Sequence, residues 1–227
     1  MKREIILDTE TTGLDPTNGH RMVEIGCIEL LGGVQSGKFF HSYLNPERDM
    51  PQEAERIHGL TGSFLRDKPI FASVVADFLD FIAEDTLIIH NAAFDLRFIN
   101  AELARLGFAA IPMERAVDTV LMARKKFPGS PASLDALCKR FEIDLSGRKK
   151  HGALLDAELL ADVYLELLGG RQVALALDRN ASANKDSNVS VAARPVLEPR
   201  LFPPTPEELA AHEAMLGLLK KPLWTEN

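Results

Sequence analysis

Residues 3–8 place Ile5 and Leu7 on one face of an extended segment and Ile6 on the other. A strand that is apolar on both faces is a central strand, so it needs a neighbour along each edge and a covering layer over each face. Residues 22–30 and 38–44 flank the turn Gly32-Gly33 and predict a hairpin beside it. From residue 71 the period becomes helical: Phe71, Val74, Val75, Phe78, Leu79 and Ile82 form one stripe, and the short run Leu87-Ile88-Ile89 predicts a fourth strand. Further helices are expected over about 93–106, after Asp118, after Ser133, and over 153–168, where Gly169-Gly170 ends the chain's longest amphipathic stretch.

Against this pattern, acidic residues stand where a core should be. Asp8 and Glu10 are two apart at the end of the central strand, so both share the face of Ile6. Asp95 lies one turn before Phe98 and Ile99, in the first turn of a helix that follows a buried strand. Asp156 is in register with Leu160, Val163 and Leu167, so a charge occupies an apolar stripe. Buried without partners such carboxylates repel one another and are costly; around hard divalent cations they become ligands, because Mg²⁺ and Mn²⁺ prefer oxygen donors. His151 precedes Asp156 by five residues. Beside a cation cluster its imidazole, which titrates near neutral pH, can act as a base, with His90 as a weaker alternative. His20, His41 and His212 read as surface or satisfied core groups.

Charge is uneven along the chain. With 33 acidic and 26 basic side chains the net charge is −7, which argues against coating nucleic acid by bulk charge. Residues 97–150 nevertheless carry 11 basic and 6 acidic groups, with Arg124-Lys125-Lys126 and Arg148-Lys149-Lys150 as clusters. Such clusters are commonly helix ends; beside the acidic set they could also attract phosphates. Cys27 and Cys138 fit neither a CxxC pair nor a zinc spacing, so an intracellular, cytoplasmic protein without disulfides is expected. The apolar stretch 5–7 is too short for a signal segment, and no membrane association is expected.

Beyond 178 the apolar period disappears. Residues 178–204 are rich in Ala, Ser and Asn and contain Pro195, Pro199, Pro203 and Pro204, which describes a flexible linker. Thr205-Pro206-Glu207-Glu208 then forms a capping box that opens a helix to about Leu219, with Leu209, His212, Met215, Leu216 and Leu219 on one face. A helix this short is marginal alone and needs a surface, in its own domain or in another protein.

Three segments, D-T-E-T-T-G (8–13), H-N-A-A-F-D (90–95) and H-G-A-L-L-D (151–156), resemble in order the three motifs of the DEDDh 3′-to-5′ exonucleases. F-P-G (127–129), S-L-D-A-L-C (133–138) and E-E-L-A-A-H-E (207–213) are similar to the branch of that family that proofreads for bacterial DNA polymerase III. The resemblance implies an RNase H-like α/β fold: a mixed sheet with a three-strand meander at one side, helices on both faces, and a flexible tail ending in a docking helix. It implies that Asp8, Glu10, Asp95 and Asp156 bind two Mg²⁺ or Mn²⁺ ions, and that His151 is the general base for attack on the last phosphodiester of a single-stranded DNA 3′ end. Thr11, Thr12, Leu14 and His58 would touch the terminal nucleotide, Leu14 as a wedge, although His58 beside Gly59 serves a turn equally well.

For the tail, Gln172, Leu175 and Leu177 are similar to a short motif for the sliding clamp, with Leu at the last position where an aromatic is usual. An apolar run-on after the preceding helix accounts for them nearly as well. Leu209, Met215, Leu216, Leu219 and Trp224 would contact the polymerase (alpha) subunit, Trp224 as anchor, and the nuclease domain is a candidate to bind a small accessory subunit. The expected divisions are 1–171 (exonuclease), 172–177 (clamp motif), 178–204 (linker) and 205–227 (polymerase-binding tail). Two rival readings remain open. A free-standing DEDDh enzyme trimming RNA or DNA ends would not need the tail, and a catalytically inactive interaction module would not need all five polar residues.

Overall fold

The computed structural model describes residues 1–145, 151–170 and 203–218. The chain divides into two units, Met1–Ala176 and Leu177–Asn227. In chain order the first unit contains β1 (Arg3–Thr11), β2 (Met22–Leu31), β3 (Val34–Tyr43), α1 (Gln52–His58), α2 (Gly62–Leu65), α3 (Phe71–Ile82), β4 (Thr86–Ile89), α4 (Ala92–Arg105), β5 (Ala116–Asp118), α5 (Thr119–Lys126), α6 (Leu134–Arg140) and α7 (Ala153–Leu168). The second contains α8 (Pro206–Leu218).

The strands form one sheet in the order β3-β2-β1-β4-β5. β1, β2 and β3 make an antiparallel meander, and β4 and β5 add to β1 in parallel. This is the mixed, RNase H-like sheet, and its central strand is the one apolar on both faces. Ile5 and Leu7 point into a core shared with Phe78 of α3 and Phe98 and Ile99 of α4. Ile6 points the other way, into a core with Ile28, Ile88 and the α7 residues Leu160 and Val163. Burying each of these side chains contributes about 1.5–3 kcal/mol, which is why two helical layers are needed.

Three elements carry too little periodicity to be expected from sequence. β5 has three residues, while α1 and α2 have seven and four. β1 is also longer than expected, continuing to Thr11 through the pair Glu10↔Glu24 and a register shift at Glu10/Thr11. Its acidic end is therefore part of the sheet and not a solvated loop.

Part of the basic middle segment serves the fold. Lys126 Nζ donates to the carbonyls of Glu166 and Leu167 at 2.9 Å each, satisfying the C-terminal end of α7. Arg115 does the same beyond α3, donating to Ile82 at 2.7 Å, to Asp85 at 2.8 Å, and to Ala83. The guanidinium of Arg140 lies 4.4 Å from the ring centre of Phe127. Arg148-Lys149-Lys150 lies outside the described residues.

Cys27 and Cys138 are buried, and neither forms a disulfide. Among the described residues no helix is long and apolar enough to cross a membrane. In the second unit, Thr205 Oγ1 accepts the N–H of Glu208 at 3.3 Å while Glu208 Oε2 accepts that of Thr205 at 2.8 Å, so the capping box forms as expected. Leu209 and Met215 on α8 are about half exposed, at 51% and 49%.

Candidate active site

Asp8 and Glu10 follow Ile6 on the face of β1 that α7 covers. Asp156, in the first turn of α7, is 3% exposed and is brought to that strand end. Ligand atoms of Glu10, His151 and Asp156 lie within 4.8 Å of one another. His151 Nδ1 is 3.1 Å from Asp156 Oδ2, and its backbone N–H donates to the carbonyl of Ile57 at the end of α1 at 3.3 Å. The histidine is about half exposed, so it faces both the carboxylates and solvent.

Asp95 arrives from the opposite helical layer. It is buried in the first turn of α4, and Thr9 Oγ1 donates to its Oδ1 at 2.7 Å. The start of α4 is unusual because Asn91 has φ 70°, a left-handed conformation costly for a non-glycine residue. Asp118, at the end of β5, holds it there. Its carboxylate accepts the N–H groups of Asn91 and Ala92 at 3.2 Å each and that of Val120 at 2.8 Å, tying the N-termini of α4 and α5 together. Sequence reasoning missed this role, although Asp118-Thr119 ahead of a helix is an N-cap signal.

Crowding and burial set the protonation of the set. Burial pushes the Asp8 carboxyl well above its usual range, and the charges of Asp95, Glu10, Asp156 and Glu24 push it further. Burial raises Asp95 to about 7 against the hydrogen bond from Thr9. His90, the alternative base, hydrogen-bonds Thr119 Oγ1 through Nδ1 at 2.9 Å, and burial lowers its pKa.

Beside the carboxylates opens a cavity of about 560 Å³. It gathers the sequence-nominated Thr11, Thr12, Leu14 and His58, and adds Ile57, Phe94 and His20, which the sequence did not nominate. Leu14 is 78% exposed at its mouth. His58 serves its turn as well: Nδ1 accepts the N–H of Leu60 at 3.0 Å, beside Gly59 at φ 79°. Of the other histidines, His41 pairs with Glu24 at 2.7 Å. Gln172, Leu175, Leu177, Leu219 and Trp224 lie outside the described residues.

The donor set fits hard divalent cations. Four carboxylates at one strand end, two of them only 3% exposed, are compatible with neutral pH when positive charge is supplied between them. A prediction follows from the sign of the shifts. Asp95 titrates near 3.8 when unfolded and about 7 when folded, so the folded state binds the extra proton between those values. Without divalent cations, stability should be fullest below about pH 4 as far as this group is concerned, and should fall by on the order of 4 kcal/mol in all as pH rises from there through 7. Calorimetry in chelator at pH 5 and 7.5 should show the drop, with Mg²⁺ or Mn²⁺ restoring more at pH 7.5. A cation effect equal at both pH values would contradict the assignment.

The model of the exonuclease family RNase_T matches residues 5–164. The DNA polymerase III subunit epsilon of Rickettsia felis is 53% identical over 96% of this chain and 97% of its own length. That of Escherichia coli K12 is 43% identical over 97% and 95%. Among solved structures, exonuclease X in complex with 5′-overhanging duplex DNA shares 26% identity at a TM-score of 0.59, covering 73% of this chain and 90% of that one. The nuclease domain of 3′hExo, a DEDDh family member bound to rAMP, shares the fold at 18% identity and a TM-score of 0.63, covering 74% and 92%.

Proposed function

The chain belongs to the exonuclease family, in the branch of the DNA polymerase III epsilon subunits, and we propose that it removes mismatched 3′-terminal nucleotides from DNA as the proofreading member of that polymerase. The observation that carries this reading is the assembly of Asp8, Glu10, Asp95, Asp156 and His151 at one strand end, beside a cavity of about 560 Å³. The arrangement suits hydrolysis of a terminal phosphodiester.

Two divalent cations, Mg²⁺ or Mn²⁺, held by Asp8, Glu10, Asp95 and Asp156 would make a water nucleophilic at neutral pH and neutralise charge on the phosphate and the leaving 3′-oxygen. The chain's own residues do the rest. With Nδ1 of His151 against Asp156, proton transfer from the attacking water is assigned to Nε2. Leu14 and Phe94 offer apolar surface to the terminal base, and Thr11, Thr12 and His58 offer polar atoms to its sugar and phosphate. Selection needs no base reading, because a mismatched end leaves the duplex at lower cost than a paired one and so enters the cavity more often. The products are a 5′-mononucleotide and a strand one residue shorter.

An inactive interaction module has no use for buried, mutually repelling carboxylates, so the site itself favours an enzyme. For partners, the reading assigns the tail to tethering: α8 with Leu209, Met215 and Leu216, together with Leu219 and Trp224, to the alpha subunit, and Gln172, Leu175 and Leu177 to weak clamp contact. The site divisions 1–171, 172–177, 178–204 and 205–227 follow from that assignment, in a protein working in the cytoplasm.

Digestion of a 3′-labelled DNA primer, paired or mismatched at its end, tests the activity. In Mg²⁺ the expected result is release of mononucleotides, faster from the mismatched end by about tenfold or more. A preference for an RNA end, or no release from either DNA end, would overturn the reading. Deleting 201–227 should leave that activity and abolish co-elution with the alpha subunit.

A further inference from the structure

We propose that Arg97 is a positioning residue that braces Leu14 against the helix carrying Asp95, and so sets the mouth of the terminal-nucleotide cavity. The proposal rests on the reading of that cavity given above. Arg97 Nη2 donates to the backbone carbonyl of Leu14 at 2.7 Å. Arg97 is two residues beyond Asp95 on α4, about 3 Å along the helix axis. Arg97 therefore ties the tip of the loop, where the wedge sits, to the element that carries a metal-ligand candidate, while Arg21 ties the loop's end to the same helix through Glu102 at 2.5 and 2.8 Å.

The bonds of the loop show why this contact matters. Most are local. Thr11 Oγ1 donates to the carbonyl of Gly13 at 2.6 Å, Arg21 N–H donates to Thr12 Oγ1 at 3.0 Å, and His20 Nδ1 lies 3.1 Å from the same hydroxyl. Asp15 Oδ1 accepts from the N–H and the hydroxyl of Thr17 at 2.9 and 2.8 Å. The ring of His20 packs where a methyl on Gly13 would sit. These interactions shape the loop but do not locate it. Three arginines do: Arg21 at the loop's end pairs with Glu102 of α4 at 2.5 and 2.8 Å, Arg48 donates to the carbonyl of Gly19, and Arg97 donates to Leu14 at the tip.

Another part of the cavity lining is located in a comparable way. Ile57, 55% exposed at the end of α1, accepts the backbone N–H of His151 through its carbonyl. Leu14 and Ile57 are thus two exposed apolar side chains facing one cavity, each referred by one main-chain carbonyl to a catalytic element. An apolar side chain 78% exposed holds a useful position only if its backbone is fixed, since it has no packing of its own to hold it. Arg97 supplies that fixing by a charge-assisted bond.

The test compares wild type, Arg97→Ala and Arg97→Lys on a single-stranded oligonucleotide and on matched and mismatched primers. Arg97→Ala should raise KM for the single strand by about five- to tenfold, with kcat within about twofold and an unchanged Mg²⁺ requirement. Amide hydrogen exchange in residues 12–18 should quicken in that variant. Arg97→Lys, which keeps a charged donor group at the end of a long side chain, should recover at least half of the KM effect. If KM rises but loop exchange is unchanged and the salt dependence of KM falls, Arg97 touches a phosphate directly and the bracing role is wrong. An unchanged KM in Arg97→Ala would also overturn it. Inactive wild type would instead overturn the exonuclease reading, so the two failures are distinguishable.

Discussion

Replacing Asp156 with asparagine should lower 3′-terminal cleavage at saturating Mg²⁺ by on the order of a thousandfold, while leaving the protein folded. The rate loss follows from two contacts. Asp156 is buried at the strand end with Glu10, and its Oδ2 is the group that His151 Nδ1 approaches at 3.1 Å. An amide of the same shape removes one of the negative oxygens that would hold cations, and weakens the orientation of the base. Losses of two to three decades are typical when a single electrostatic contributor to a transition state is removed. The fold should survive because the change keeps the volume in α7 and relieves repulsion. The charge of Asp156 is one of those that raise the Asp8 carboxyl, so the variant in chelator should melt no lower than wild type. Steady-state cleavage together with melting curves in chelator checks both halves. Retention of more than about a tenth of the activity would remove Asp156 from the ligand set.

The second large effect is expected from a residue with no functional group. Gly26 pairs across the sheet with Asp8, and a methyl on it would lie 2.5 Å from the backbone nitrogen of Leu154 and 2.6 Å from the carbonyl carbon of Ala153. Those atoms are the first turn of α7, so no side-chain rotation can relieve the clash and the helix itself must move. Overpacking of this kind costs about 1–3 kcal/mol, and Gly26→Ala should reach the upper part of that range. Asp156 lies two residues beyond Leu154, so the same displacement carries it away from Asp8 and Glu10. A shift near 1 Å can cost about a hundredfold in rate, and a loss of at least tenfold is expected even at temperatures where the variant is fully folded. Thermal denaturation and cleavage below the melting transition separate the two contributions. Wild-type activity in a destabilised variant would show that α7 can move without disturbing the site.

Much of this architecture is legible in the order of residues. Ile5, Ile6 and Leu7 announce a strand covered on both faces, and the stripe over 71–82 returns as α3 with the same bounds. The acidic residues Asp8, Glu10, Asp95 and Asp156 stand out because each breaks an apolar pattern. β5 does not stand out: three residues are too few to show a period, and the strand exists because β4 offers it an edge. Nor does the use of two residues of the basic segment, Arg115 and Lys126, which close the ends of α3 and α7.

The sequence by itself determined the longer strands and helices, which face of each is buried, and which carboxylates interrupt those faces, since all of these are periodic properties read along one segment. Tertiary structure alone decided that Gly26 must stay bare beneath α7, that Asp118 anchors the start of α4, and that Arg97 reaches Leu14. In each of these the partner is main chain. Backbone amides and carbonyls are the same at every residue, so a contact with them leaves no mark on the sequence of the partner, and only the folded chain shows which one is met.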